Sequence, residues 1–216
     1  MFETSFTATD FKFMLEGAGI TLKLTCWAML LGTAAGALFG LLRATLPRLS
    51  MPLGWLLDVF RSVPLLIQFV LFNSAKSIVN LDWSAFEVGA LVLAIYTAAY
   101  CTEIVRSGIL AVPTNVIRAA RSLGMNYTQT LLYITLPMAT RVAFSGWINL
   151  ALGVMKDTSL VMWIGIIELL RAAKDIITRI QEPLLVLCIA GAMYYVMSWG
   201  VAALSAKVEK RWSEHD

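Results

Sequence analysis

Charge is what this sequence has least of. Asp, Glu, Lys and Arg make up only 14% of its 216 residues, against about a quarter in an ordinary soluble domain. Hydrophobic residues make up 59%, and the mean hydropathy is +0.75. A chain so composed cannot cover a water-facing surface, which excludes a soluble globular protein. Histidine is nearly missing as well. His215 stands alone in a polar tail, so a hydrolase relay built on a buried imidazole has no base. The three cysteines, Cys26, Cys101 and Cys188, sit inside apolar runs with no CxxC spacing, which fits neither a disulfide framework nor a metal centre. They are expected to pack as small core or lipid-facing residues. No GxxxxGK[ST] loop is present to cradle nucleotide phosphates. No cofactor, metal or nucleic-acid partner is expected. No Ser/Gly-rich linker, charge block or fixed-period repeat divides the chain, so residues 1–216 read as one transmembrane domain.

What is abundant is apolar runs of membrane length. A bilayer core of roughly 30 Å needs about 20 mainly apolar residues per helix, and five stretches meet that length: 17–42, 52–72, 85–103, 142–163 and 184–206. The first carries Lys23 and a weak cleavage-like Ala35-Gly36-Ala37, and is read as a retained span. Arg and Lys collect on the cytoplasmic side of short loops. Arg43 and Arg48 follow span one with no acid, and 104–141 holds Arg106, Arg118, Arg121 and Arg141, again with none. Both loops are therefore expected in the cytoplasm. The N-terminal arm sets Glu3, Asp10 and Glu16 against Lys12, and the stretch after span four balances Arg171, Lys174 and Arg179 with Glu168, Asp175 and Glu182. These are expected outside, with the N-terminus, while Lys207, Lys210 and Arg211 hold the C-terminus inside. Gly32, Gly36 and Gly40 share one face of span one and predict close approach of another helix.

The inner loop contains "VIRAARSLGMNYTQTLLYITLP", residues 116–137. Thr114 caps a predicted short helix over 115–123, which stops at Gly124, a residue suited to the left-handed C′ position. Asn126 caps a second helix, expected to end at Pro137. Ala119, Ala120 and Leu123 share one side of the first helix, flanked by Arg118 and Arg121. A small-residue face between two cations suits a docking element.

This segment resembles the EAA…G…I.LP signature of the membrane-spanning subunits of binding-protein-dependent ABC importers. "FRSVPLLIQF" (60–69), "AAYCTEIVRSGILAVP" (98–113) and "KDTSLVMWIGIIELL" (156–170) resemble, in the same order, segments of the polar-amino-acid subfamily. Together the likeness runs from about residue 21 to 199. It implies an all-α fold of five transmembrane helices with a cytoplasmic coupling helix, like the type I importer permeases. Arg118, Ala119, Ala120, Arg121, Leu123 and Gly124 fall on the coupling position. The implied partners are ATP-binding subunits, a second permease, identical or similar, and an extracytoplasmic amino-acid-binding protein, all at a bacterial inner membrane. The chain departs from the pattern where Arg118 replaces Glu and where Ser62-Val63 replaces Gly-Thr before Pro64.

Intramembrane charge is expensive, so Lys156 and Asp157 in span four, followed by Thr158 and Ser159, are the sharpest candidates for a substrate pathway. They offer a cation, an anion and two hydroxyls in what is expected to be a locally broken helix. The alternative is that the two charges neutralise each other or pair with another span. Glu168 either meets a substrate ammonium or pairs with Arg171 at i+3. Asn149 and Gln68 either line the path or bond neighbouring helices. Pro64 is expected to kink span two, and Glu103 with Arg106 to form an ion pair at the end of span three.

Two function classes follow. The first is the transmembrane subunit of an ATP-driven importer of a polar amino acid, with hydrolysis in a partner subunit and no enzymatic chemistry of its own. The second is an ion-gradient-driven secondary amino-acid transporter, against which stands the lack of a visible inverted repeat. An intramembrane enzyme is disfavoured, because the lone histidine lies in the tail and neither a GxSxG nor a convincing carboxylate pair is present.

Overall fold

A computed structural model describes residues 5–213; Glu3 and His215 lie outside them. The described residues form helices and no strand: α1 Ala8–Thr45, α2 Met51–Ser62, α3 Leu65–Ile78, α4 Ala85–Leu110, α5 Thr114–Ser122, α6 Tyr127–Thr130, α7 Leu136–Asp157, α8 Leu169–Ile180 and α9 Pro183–Ser213. A π-helical turn, Leu131–Thr135, joins α6 to α7, and a 3-10 segment, Thr158–Ile164, follows α7.

Four continuous stretches are long and apolar enough to span a bilayer: α1, α4, Tyr127–Ile164 and Pro183–Trp212. The fifth expected span is present only as the pair α2 and α3, bent by 105°. Pro64 therefore breaks this span where a kink was expected. Its ring removes a backbone donor and forces Val63 out of the helical region, and Val63 is extended at ψ 130°. The carbonyls orphaned at the end of α2 find a replacement donor. The side-chain amide of Gln68 donates to the Phe60 oxygen at 2.8 Å and the Val63 oxygen at 2.9 Å. Gln68 thus holds the two halves of the broken span together.

Helix ends run past the hydropathy boundaries because polar caps, rather than apolar residues, set them. Thr7 with Asp10 opens α1, and Ser84 with Glu87 opens α4, each as a reciprocal capping box. With 38 residues, α1 is roughly 57 Å long at the α-helical rise, so it reaches beyond the hydrocarbon or crosses it at a tilt. The fourth span begins earlier than 142, at Leu136, and its last turn is 3-10. Pro137 does not end the second loop helix. It sits in the first turn of α7, where the preceding π turn widens the ladder and spares its ring the usual clash with the carbonyl four residues back.

Contacts concentrate between α1 and α4. The glycine stripe explains the approach. A Cβ built on Gly32 would stand 2.4 Å from Thr97 Cβ, on Gly36 2.5 Å from Cys101 Cβ, and on Gly40 2.7 Å from Val105 Cβ. Cys101 is accordingly buried, while Cys26 and Cys188 are exposed. Gly36→Ala is expected to destabilise the helix bundle by about 1–3 kcal/mol, read as a lower unfolding midpoint in detergent. Adding Cys101→Gly should return most of that loss, since it removes the atom struck.

The amphipathic helix α8 buries Leu169, Ala172, Ala173, Ile176 and Ile180. Met14 and Ala18 of α1 and Val186 and Ala190 of α9 complete that cluster. Arg179 of α8 pairs with Asp10 of α1.

Candidate functional site

Two places carry functional geometry. The first is α5, seated where α1, α4 and α7 end. Ile117 packs on a cluster of Ile109, Val112 and Ala139, with Leu41, Ala44 and Leu136 around it. Pro113 precedes the helix, so Thr114 is its first residue instead of its cap. The far end closes as a Schellman motif. Gly124 adopts φ +87°, its amide donates to the Arg121 oxygen at 3.1 Å, and the Met125 amide donates to the Ala120 oxygen at 3.2 Å. Asn126 then caps α6 reciprocally with Gln129. One member of the expected docking face is displaced. Ala120 is 6% exposed and faces the bundle with Ile117, because a helix lying on a bundle must bury one side. Arg118, Ala119, Arg121 and Gly124 are exposed. Leu123 projects furthest, at 85% exposure.

The second place surrounds the end of α7. Asp157 and Ser159 are half-buried, Lys156 is exposed, and Thr158 is fully buried with its hydroxyl donating to the Met155 oxygen at 2.7 Å. Thr158 thereby stabilises the change from α to 3-10 helix and offers nothing to a ligand. Gly165, at φ +91°, closes the turn. The break expected at 156–159 is not present: the helix continues from α7 into the 3-10 segment and ends only at Gly165. Asp157 lies close enough to the Tyr96 hydroxyl to interact with it electrostatically. The ring of Tyr96 lies 4.7 Å from that of Tyr100, whose hydroxyl donates to the Arg61 oxygen at 3.4 Å. A polar line therefore runs from Asp157 across α4 to the broken end of α2. Sequence reading missed both tyrosines, although their spacing of four residues in an apolar span was a visible signal.

Asn149 is exposed and has no hydrogen-bond partner among the described residues, so it does not bond helices within this chain. Ser145, Asn149 and Lys156 are exposed on one face of α7, within about 40° of each other at 100° per residue. Beside that face a groove of about 440 Å³ runs between α4 and α7, past Ser107, Gly108 and Glu103. Glu103 pairs with Arg106, with Oε2 accepting from Nη2 at 2.9 Å, and also with Arg43 of α1, a partner not foreseen.

Glu168 follows neither expectation. It is fully buried and caps α8. Its Oε2 accepts from the Leu170 amide at 2.8 Å and the Tyr194 hydroxyl at 3.0 Å, and its Oε1 from the Arg171 amide at 2.7 Å. Burial pushes its carboxyl above the ordinary range, while those donors pull it back. The Arg171 guanidinium pairs instead with Asp175. Glu168→Ala would orphan three buried donors and is expected to cost about 2–4 kcal/mol. In thermal unfolding it should behave as a structural lesion, with substrate affinity unchanged in the folded fraction.

Comparison with known proteins decides the class. The family described as binding-protein-dependent transport system inner membrane component matches residues 29–213. The chain belongs to that family. Among relatives of this permease, the nopaline transport system permease protein of Agrobacterium fabrum is 34% identical, over 90% of this chain and 86% of that one. The octopine transport system permease protein of Rhizobium radiobacter is 30% identical, over 96% and 89%. The probable glutamine ABC transporter permease protein of Bacillus subtilis is also 30% identical, over 96% and 97%. A crystal structure described as an amino acid ABC transporter with histidines superposes at TM-score 0.85 with 29% identity, covering 93% of the permease and 94% of that chain. An inward-facing MetNI methionine ABC transporter reaches 0.81 at 18% identity and shares the fold. The permease is a multi-pass inner-membrane protein and the transmembrane subunit of an ATP-driven importer. None of these names describes an ion-gradient-driven carrier.

Proposed function

We propose that the permease admits a polar amino acid, with α5 as the coupling helix gripped by an ATP-binding subunit. The observation that carries this reading is the exposed end of α5. Leu123, 85% exposed, stands with Ala119 between Arg118 and Arg121, while Ile117 and Ala120 anchor the helix underneath. An apolar knob ringed by cations on a rigid seat is suited to a partner's cleft. Gly124 ends the helix so that the knob is its outermost point. The permease itself hydrolyses nothing on this reading.

The cargo assignment rests on the relatives' names and on Lys156 and Asp157, which supply the charges that pair with an amino acid's carboxylate and ammonium. Ser159 and Asn149 extend the polar path. The uncovered polar face of α7 suits a pathway shared with a second permease chain, identical or similar, and an extracytoplasmic binding protein delivers the cargo. Arginine placement puts the N-terminus outside and the C-terminus in the cytoplasm. The test is reconstitution in liposomes with the neighbouring ATP-binding subunit and binding protein. One amino acid with its binding protein should stimulate ATP hydrolysis and drive uptake. Uptake sustained by an ion gradient without the ATP-binding subunit would overturn the reading.

A further inference from the structure

A cavity of about 580 Å³ lies between α1, α4 and α7 and has no part in the pathway described above. Its walls are almost wholly apolar, and the polar groups in them are already engaged. The Trp147 indole donates to the Thr33 hydroxyl at 2.8 Å, and the Thr140 hydroxyl donates to the Leu136 oxygen at 2.8 Å. Nothing in it can orient an amino acid. The lining runs along α7 from Leu136 to Trp147, a rise of roughly 16 Å, which is about half the ~30 Å hydrocarbon thickness. The cavity is thus one leaflet deep. It opens past Leu38, itself 56% exposed, and Ala37 on the outer flank of α1.

Charge identifies what fills it. Leu41 and Leu136 mark its shallow end, at the end of the bundle where Arg43 and Arg106 both pair with Glu103, two cations on one acid. Trp212 of α9 meets the lining ring of Phe144 edge-on at 4.9 Å between centroids. We propose that this cavity holds one acyl chain of an anionic phospholipid, whose headgroup lies among the arginines at the shallow end. The occupant is apolar because the walls are, one leaflet long because the cavity is, and negative because its mouth is positive.

Trp147 at the deep end provides the readout. In the full chain with its other tryptophans changed to Phe, set in phosphatidylcholine nanodiscs, chain-brominated phosphatidylglycerol should quench Trp147 at a mole fraction about fivefold below that of brominated phosphatidylcholine, the preference expected for one engaged cation. Ala37→Phe, which fills the opening, should erase the difference. Equal quenching by both lipids, or quenching indifferent to Ala37→Phe, overturns the proposal. If the multiply substituted chain fails to fold, the natural chain serves. Mass spectrometry after gel filtration should find phosphatidylglycerol retained several-fold over phosphatidylcholine and lost in Ala37→Phe, and equal retention overturns it. Cross-linking of Ala37→Cys to a second copy of the chain would make the cavity a subunit interface and overturn it too. Coupled ATP hydrolysis is a separate measurement, so failure here leaves the transport reading standing.

Discussion

Ala119→Trp is expected to abolish substrate-stimulated ATP hydrolysis while the permease still inserts and folds. Ala119 is exposed on α5, so an indole there meets no part of its own bundle and is felt only in a partner's cleft. Leu123→Asp tests the same contact by putting a charge on the 85%-exposed knob. Disrupting one central anchor of an interface costs about 2 kcal/mol or more, roughly 30-fold in affinity. Stimulated hydrolysis in proteoliposomes should fall accordingly, and binding of the ATP-binding subunit should weaken in parallel. Coupling that survives both variants would remove α5 from the interface. Gly124 is a poorer test. At φ +87° a side chain there is strained by its own backbone, so lost activity would not separate docking from folding. Ala120, turned inward, would unseat the helix.

Lys156→Met is expected to cut substrate-stimulated activity far more than basal activity. A charge-assisted hydrogen bond to a carboxylate contributes about 1.5–3 kcal/mol, which corresponds to roughly 10- to 100-fold in the substrate concentration needed. Asp157→Asn should do the same through the ammonium, and also remove the charge beside its neighbour Tyr96. Titrating ATP hydrolysis with the amino acid and its binding protein separates the two roles. Equal loss of basal and stimulated rates would make the pair structural.

Much of this architecture was legible because membranes make sequence speak loudly. Long apolar runs located α1, α4, α7 and α9, and three glycines at four-residue spacing located the α1 face that α4 covers. Gly124 and Asn126 marked their turn and cap because only a few residue types suit those dihedrals and donors. What failed depended on neighbours distant in sequence. Glu168 looked like a surface carboxylate until Thr21, Tyr194 and the first amides of α8 closed over it. Pro137 signalled a helix end, yet a π turn absorbed it. Asp157 gave no hint of Tyr96, which lies on another helix, and Ala120 could not be told from Ala119 without knowing which way α5 leans.

The glycine-lined seam between α1 and α4 has a mechanical consequence. With side chains of one helix resting on the bare backbone of the other, and Arg43 tied to Glu103 across the join, neither rod can slide along its neighbour. Any stroke entering through Ile117 must move both as a single strut. Its travel must then be absorbed where the backbone is already irregular: the loosened turn before Pro137 and the elbow at Pro64 that Gln68 pins.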